Sequence, residues 1–360
     1  MSDFVFDEFH YQSQLALKIQ KLKQDFANFN IENIEIFSSL IKHFRMRTEF
    51  RVWHKGDQLD YVMFGQDKKP YAVHEFPIGS ITINELMPKL ILQLNADSDL
   101  KHKLYQIDFL TTQAGDALVT LIYHKPLDEN WIAKARAVKD QFNINIVGRS
   151  KGQRILLDKD YVIETFTVDQ QQFSYQQVDS SFTQPNAAIC QSMLNWAVNN
   201  SKGFNGDLLE LYCGNGNFTL PLSKNFEKVL ATEISKNSVN SALFNIEKNN
   251  INNIHIARMS SEEFVQALDG VREFFRLKDI QLQDYQFSTI FVDPPRAGLD
   301  DNTVSITQRF DNILYISCNP ETLHKNLLKI TETHKIQAFA AFDQFPYTHH
   351  LECGVVLQRK

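Results

Sequence analysis

The sequence predicts an α/β protein in two parts: an N-terminal α+β unit built on an antiparallel sheet, then a doubly wound parallel sheet. Three observations carry this. The first half runs in hairpin pairs of alternating strands. From about residue 176 onward, short apolar strands alternate with helical segments. At 360 residues the chain is long for one domain and comfortable for two, and the change of texture at the polar run Thr167–Ser181 puts the expected domains at 1–175 and 176–360.

Leu15, Ile19, Leu22, Phe26 and Phe29 recur at helical spacing, so an amphipathic helix opens the chain. "TEFRVWH" and "YVMFG" alternate around Lys55-Gly56-Asp57 and predict a hairpin. "LYQIDFL" and "ALVTLIYH" flank Gln113–Asp116 and predict a second. A helix around Trp131 and short strands at "INIVG" and "RILL" follow, with no βαβ alternation expected here. The polar run Thr167–Ser181 reads as a boundary or bridge.

Beyond it, "DLLELYC", "KVLATEI", "NIHIARM", "STIFVDP", "ILYISCN" and "IQAFAAF" read as strands. "CGVVLQR" would pair with "IQAFAAF" as an antiparallel hairpin at the sheet edge. Asp269–Gln286 reads as a helical insertion before the fourth strand.

Composition narrows the function. Hydrophobic content of 43% and charged content of 22% suit a soluble protein with a full core, which takes up most of the 28 Phe. No apolar run reaches membrane-spanning length, and the acidic start lacks the pattern of a signal peptide, so a cytoplasmic protein is expected. A net charge of −6 argues against sequence-blind nucleic-acid coating but allows a local basic surface. Cys190, Cys213, Cys318 and Cys353 are scattered without a C-x-x-C pair, so neither a metal site nor an iron–sulfur cluster is expected. His349 and His350 with Cys353 lack a tetrahedral partner set.

Three strand ends carry candidate chemistry. "DLLELYCGNGNFTLPL" is strand, glycine turn, helix; Gly214 and Gly216 let the backbone approach a ligand, and Glu233 ends the next strand, where a carboxylate can bind ribose hydroxyls. Thr219 replaces the third glycine of the dinucleotide pattern. That disfavours a diphosphate, which needs a close helix end, and suits S-adenosylmethionine, which has no phosphate. "FVDPPRAGLD" and "YISCNPETL" bring Asp293 and Cys318 to the same C-terminal sheet edge. Taken alone, Asp-Pro-Pro can be a rigid turn and Cys318 a structural thiol. In the N-terminal half, Arg45, Arg47, Arg51, Lys42 and Lys55 cluster with Phe50 and Trp53 near one hairpin, a pattern for RNA contact or for an ordinary amphipathic hairpin.

The set "FTQPN", "LLELYCGNGNFTLPL", "FVDPPRAGLD", "YISCNPETL" and "FDQFPYTHHLECG" resembles the tRNA (uracil-5-)-methyltransferases, which make ribothymidine at position 54 of the tRNA T-loop. "FRMRTEFRVWH" and "LYQIDFLTT" resemble that family's RNA-recognition half, so the likeness spans nearly the whole chain. It implies a class I, Rossmann-like S-adenosylmethionine-dependent methyltransferase domain. It also implies cofactor contacts at Gln184, Tyr212, Asn217, Glu233 and Asp293, a nucleophile at Cys318, a proton-abstracting base at Glu352, and RNA contacts at Glu49, Arg51 and Tyr105. The partners implied are the tRNA T-arm and other T-loop-like RNAs such as tmRNA, with no membrane and no obligate protein partner. Related ribosomal-RNA enzymes commonly carry an iron–sulfur cysteine cluster and an extra N-terminal domain; the scattered cysteines and the length here favour the tRNA branch as the expectation.

In the implied chemistry a thiolate adds to C6 of uracil, C5 takes the methyl group, and a base removes the C5 proton so that the thiolate leaves. Arg296 is a candidate to favour the thiolate, or to bind the enolate O4 or a phosphate; His349 and His350 would support Glu352 or touch RNA. Among rivals, an amino-group methyltransferase needs an aromatic residue where Arg296 stands and no thiol. A cytosine-5 enzyme typically shows two working cysteines in Pro-Cys and Thr-Cys settings. A non-catalytic RNA-folding module would not need Cys318, Glu233 and Asp293, and an NAD enzyme is the most distant rival.

Overall fold

The computed structural model describes residues 6–65 and 67–360. Its contacts divide the chain into two interleaved units. The first comprises Leu40–Thr165, Gln176–Ala187 and the described residues up to Glu8; the second comprises Phe9–Ser39, Phe166–Tyr175 and Ala188–Lys360. The contacts thus do not follow a single cut after residue 175. Helix α1 (Tyr11–Asp25) and strand β1 (Glu35–Phe37) open the chain but belong to the second unit.

The first unit holds a seven-stranded sheet. Its strands are β2 (Arg47–Lys55), β3 (Gln58–Phe64), β4 (Pro70–Ala72), β5 (Leu104–Thr111), β6 (Ala117–Tyr123), β7 (Asn145–Ser150) and β8 (Gln153–Leu156), in the order β4-β3-β2-β5-β6-β7-β8. Both expected hairpins form, β2 with β3 and β5 with β6. Phe50 and Val52 of β2 are buried, because alternate side chains of a strand share a face.

The expectation of no βαβ alternation is corrected here. Helix α4 (Glu129–Phe142) carries the chain from β6 to β7, and those two strands pair in parallel. Asp128 caps α4 by accepting from the Trp131 amide, and Trp131 is fully buried. A helix between two strands allows either a parallel or an antiparallel return, so composition alone does not decide the orientation.

Two further helices, α2 (Ile81–Ala96) and α3 (Ser98–Lys101), were not in the sequence reading. Ile83, Leu86, Met87, Leu90 and Leu94 bury the apolar stripe of α2 although Pro88 lies within it. The polar run read as a boundary is also ordered structure. β9 (Tyr161–Val168) and β10 (Gln171–Val178) form a two-stranded ribbon. Asp169 and Gln170, both at positive φ, make the two-residue turn between them. Phe173, Tyr175 and Gln177 alternate inward along β10; the buried polar Gln177 hides that alternation in the sequence.

The second unit follows the expected strand and helix alternation. After α5 (Ala187–Ser201) come β11 (Asp207–Leu211), α6 (Thr219–Leu222), β12 (Val229–Thr232), α7 (Lys236–Lys248), β13 (Ile254–Ala257) and α8 (Ser261–Leu268). Then follow β14 (Phe287–Val292), α9 (Asp301–Thr307), β15 (Asn312–Ser317), α10 (Pro320–Ile330), β16 (His334–Phe342) and β17 (Glu352–Arg359). The eight-stranded sheet runs β1-β16-β17-β15-β14-β11-β12-β13.

β11 to β15 are parallel neighbours, while β17 is antiparallel to both β15 and β16. The expected hairpin is therefore present but not at the edge: β17 is an interior strand, and β1 pairs along β16, with Phe37 stacked on Phe342. Every side chain of β11 and β12 is buried, as a sheet covered on both faces requires. Between Asp269 and Gln286 the expected helical insertion is replaced by two 3-10 turns, Phe275–Leu277 and Leu282–Asp284. Val271 and Phe275 stay exposed there, so too little apolar surface is buried to hold a helix.

Candidate active site

In the second unit, β12 and β13 lie to one side of β11 and β14 and β15 to the other. Strand order thus reverses between β11 and β14, the point where open α/β sheets bind ligands at their C-terminal edge. Register brings the candidate residues together there. Leu211 pairs with Thr232 and with Val292, so one step further places Tyr212 between Glu233 and Asp293. Ser317 pairs with Cys353 in the antiparallel β15–β17 ladder, and one further step sets Cys318 opposite Glu352. Directly opposed residues of such a pair have Cα atoms about 4.5–5.5 Å apart.

The glycine turn leaves β11 through three residues at positive φ: Tyr212 (63°), Gly214 (57°) and Gly216 (83°). A Cβ on Gly214 would meet nothing within 4 Å, whereas one on Gly216 would lie 2.7 Å from the Leu220 side chain. Gly214 thus keeps the turn open on the ligand side, and Gly216 lets α6 pack. Glu233 holds the turn to β12: its carboxylate accepts from the Gly214 amide (3.0 Å) and the Ser235 amide (2.7 Å). A carboxylate has about four acceptor sites, so two remain for ribose hydroxyls. Tyr212 Oη lies 2.9 Å from Ser261 Oγ, and the Asn217 carbonyl accepts from Tyr175 Oη. An open glycine turn, an acid beside it and no third glycine together fit an adenosyl group without a diphosphate.

Cys318 stands one residue beyond β15, and Glu352 is the first residue of β17. Asn319 caps α10 by accepting from the Glu321 amide, and Pro320 occupies the first turn, so the strand must end at the thiol. The Asn319 side-chain amide also donates to the Arg296 carbonyl (3.1 Å), tying the Asp-Pro-Pro-Arg turn to the cysteine.

The local field is anionic, not cationic as the thiolate requirement suggests. Burial pushes the Cys318 thiol up to about 11, with the Glu352 and Asp293 charges adding and Arg296 opposing them. Burial raises Asp293 to about 7. Burial, then Asp293, holds Glu352, only 3% exposed, well above the usual carboxylate range. Arg296 is exposed, with Nη2 3.4 Å from His350 Nδ1.

Glu210 of β11 is a further carboxyl that the sequence reading omitted. It is buried, and its Oε2 makes no hydrogen bond among the described residues. Burial raises it to about 8, with Thr219 opposing and Asp293 adding. The signal available was an acid inside the apolar run "DLLELYC". Cys190, Cys213 and Cys353 are buried thiols. Among the described residues no group of three or more His, Cys, Asp or Glu could hold a metal ion.

Gln184 belongs to the first unit, as do all the candidate RNA residues. There, Arg51 lies over the Tyr105 ring at 4.1 Å, and Tyr105 stacks on His124 at 4.1 Å. Glu49 is exposed on the same face of β2 as Arg51. Arg45 and Arg47, also candidates for RNA contact, make hydrogen bonds within their own unit. Arg47 donates to the Ser181 and Asp179 carbonyls, and Arg45 Nε donates to the Arg47 carbonyl at 2.8 Å. Charge clustering in the sequence does not distinguish an arginine that binds outward from one that ties its own loops.

Residues 10–360 match the family model described as tRNA (Uracil-5-)-methyltransferase. A tRNA/tmRNA (uracil-C(5))-methyltransferase of Cellvibrio japonicus is 61% identical, over 97% of this chain and 96% of the relative. Its namesake in Saccharophagus degradans is 56% identical, over 98% and 97%. A crystal structure of Pyrococcus abyssi tRNA (uracil-54, C5)-methyltransferase in complex with S-adenosyl-L-homocysteine aligns with a TM-score of 0.70 at 22% identity. That alignment covers 96% of this chain and 83% of the other, a likeness of fold. With nearly its whole length matched by the family model, the chain belongs to the tRNA (uracil-5-)-methyltransferase family.

Proposed function

We propose that this protein methylates C5 of a uridine in the T-loop of tRNA, at position 54, with S-adenosylmethionine as donor, and acts likewise on tmRNA. The observation that carries the reading is the register that sets Cys318 opposite Glu352 at the sheet edge where strand order reverses. The second unit is the methyltransferase, and the first recognises RNA through Glu49, Arg51 and Tyr105. An arginine lying on a tyrosine ring presents a flat surface on which an unpaired base can stack. No described helix is long and apolar enough to cross a membrane. We place the reaction in the cytoplasm, with its RNA substrate.

Cys318 loses its thiol proton to solvent, and its Sγ lone pair forms the bond to C6 of the uracil. The C5–C6 π pair moves toward C5 and O4, from where C5 can take the donor's methyl group. The donor, when bound, supplies an electrophilic methyl group and one unit of positive charge. Glu352 then takes the proton from C5; the C–H pair re-forms the C5–C6 double bond and expels the Cys318 thiolate. A carboxyl raised by burial is a stronger base than an exposed one once ionised, which suits this step. Arg296, a cation that opposes the rise at Cys318, favours the anionic sulfur. Tyr212, Asn217, Glu233 and Asp293, all of the second unit, hold the donor.

The test uses tRNA containing 5-fluorouridine, incubated with enzyme and S-adenosylmethionine. Fluorine at C5 cannot be removed by a base, so a stable protein–RNA adduct forms and maps to Cys318. An adduct that survives Cys318→Ser, or none at all, rejects the mechanism.

A further inference from the structure

The segment between β16 and β17 leads straight into Glu352 and is fastened by a side chain from the far end of the chain. Lys18 of α1 donates to Asp343 Oδ1 (2.7 Å), to the Phe345 carbonyl (2.9 Å) and to the His350 carbonyl (3.0 Å). An ammonium has three N–H donors, and all three are used. The pair is interior: the Lys18 side chain is 8% exposed and that of Asp343 1%. Lysine is almost never buried unless paired, and a simple structural pair needs only the carboxylate. Here two of the three bonds go to main-chain carbonyls at opposite ends of one short segment.

The second of those carbonyls, on His350, is two residues from Glu352, and the His350 ring reaches Arg296. Within the segment, Thr348 Oγ1 donates to the Phe345 carbonyl and accepts from the His350 amide. Tyr347, buried, sits at a φ of 63°, a conformation that a side chain other than glycine keeps only where its surroundings enforce it.

We propose that Lys18 is a positioning residue for proton abstraction: by tying Asp343, Phe345 and His350 to α1 it fixes the main chain that aims the Glu352 carboxylate at C5. The proposal rests on the reading of Glu352 as the base. Lys18 is buried and its three donors are used within the chain, so its loss is expected to act on the release of the covalent adduct rather than on its formation. Removing Lys18 alone would strand the Asp343 carboxylate in the interior and destabilise the fold. The informative variant is therefore Lys18→Met with Asp343→Asn, which removes both charges and the two carbonyl contacts together.

The experiment follows single turnovers on unmodified tRNA, quenched in detergent, and measures formation and decay of the covalent protein–RNA adduct. Wild type, Glu352→Gln, the double variant and the triple variant are run side by side, each with its melting temperature. In the double variant, decay is expected to slow roughly ten- to hundredfold, as for a catalytic group displaced by about 1 Å, with formation nearly unchanged. In the triple variant decay is no slower than in Glu352→Gln alone, because the two changes act on one step. Adduct decay at the wild-type rate in the double variant, while Glu352→Gln accumulates adduct, overturns the role of Lys18 and leaves that of Glu352 intact. Equal slowing of formation and decay, tracking the melting temperature, reduces Lys18 to a structural pair. Wild-type decay in Glu352→Gln removes the base and this proposal with it.

Discussion

The thiol of Cys318 is predicted to be sluggish in the free enzyme, contrary to the habit of catalytic cysteines. Burial, with two carboxyls beside it, pushes it up to about 11. An unperturbed thiol of pKa 9.0 is ~10% thiolate at pH 8, whereas one at about 11 is ~0.1%, so alkylation there should be roughly 100-fold slower. The assay is iodoacetamide labelling from pH 7 to 11, with the Cys318 peptide quantified by mass spectrometry and Cys318→Ser as the blank. The other three thiols are buried and label little in the folded protein. The same measurement with S-adenosylmethionine and with S-adenosylhomocysteine isolates one positive charge, since both fill the same site. Labelling should be faster with the sulfonium than with the thioether, because a nearby cation favours the thiolate. A labelling midpoint at or below 9 in the free enzyme would refute the reasoning. It would mean that Arg296 or the helix end outweighs burial and the carboxyls.

Gly214→Ala and Gly216→Ala should separate ligand space from packing. Both force Ala to a positive φ, costing about 1 kcal/mol, but only the second drives a methyl into Leu220. Calorimetry should show the larger loss of melting temperature for Gly216→Ala, and equilibrium dialysis should show weakened donor binding for Gly214→Ala. Glu210 should make stability fall as pH rises. Its folded value of about 8 exceeds the ordinary 4.5, so the stability it confers is complete below 4.5 and is lost as pH rises to 8. The slope is ~1.4 kcal/mol per pH unit. Denaturant unfolding of Glu210→Gln between pH 5 and 8 should show a flatter profile than wild type; parallel profiles would count against an ionisable Glu210. Arg51→Ala should weaken tRNA binding and shallow its salt dependence, whereas Arg47→Ala should chiefly lower the melting temperature, because its guanidinium is bound to the Asp179 and Ser181 carbonyls.

The sequence by itself determined seven of the eight strands of the second unit's main sheet, β11 to β17, and that helical segments separate most of them. Apolar runs of four to eight residues punctuated by glycine and proline leave few other readings. It also determined the family, because five motifs in order identify chemistry that no single one does. "CNPETL" foretold the end of β15 at the thiol, since an Asn cap followed by Pro is local information.

Tertiary structure alone decided what depends on partners distant in the chain. The parallel pairing of β6 with β7, the interior place of β17, and the capture of α1 and β1 by the second unit are choices among contacts of similar local propensity. The same holds for charge. An arginine, lysine or glutamate in a sequence carries its ordinary ionisation, and only burial and neighbours decide the rest. That is why Arg47 turns inward, why Lys18 reaches a segment more than 300 residues away, and why Cys318 is held protonated beside the group expected to complete its reaction.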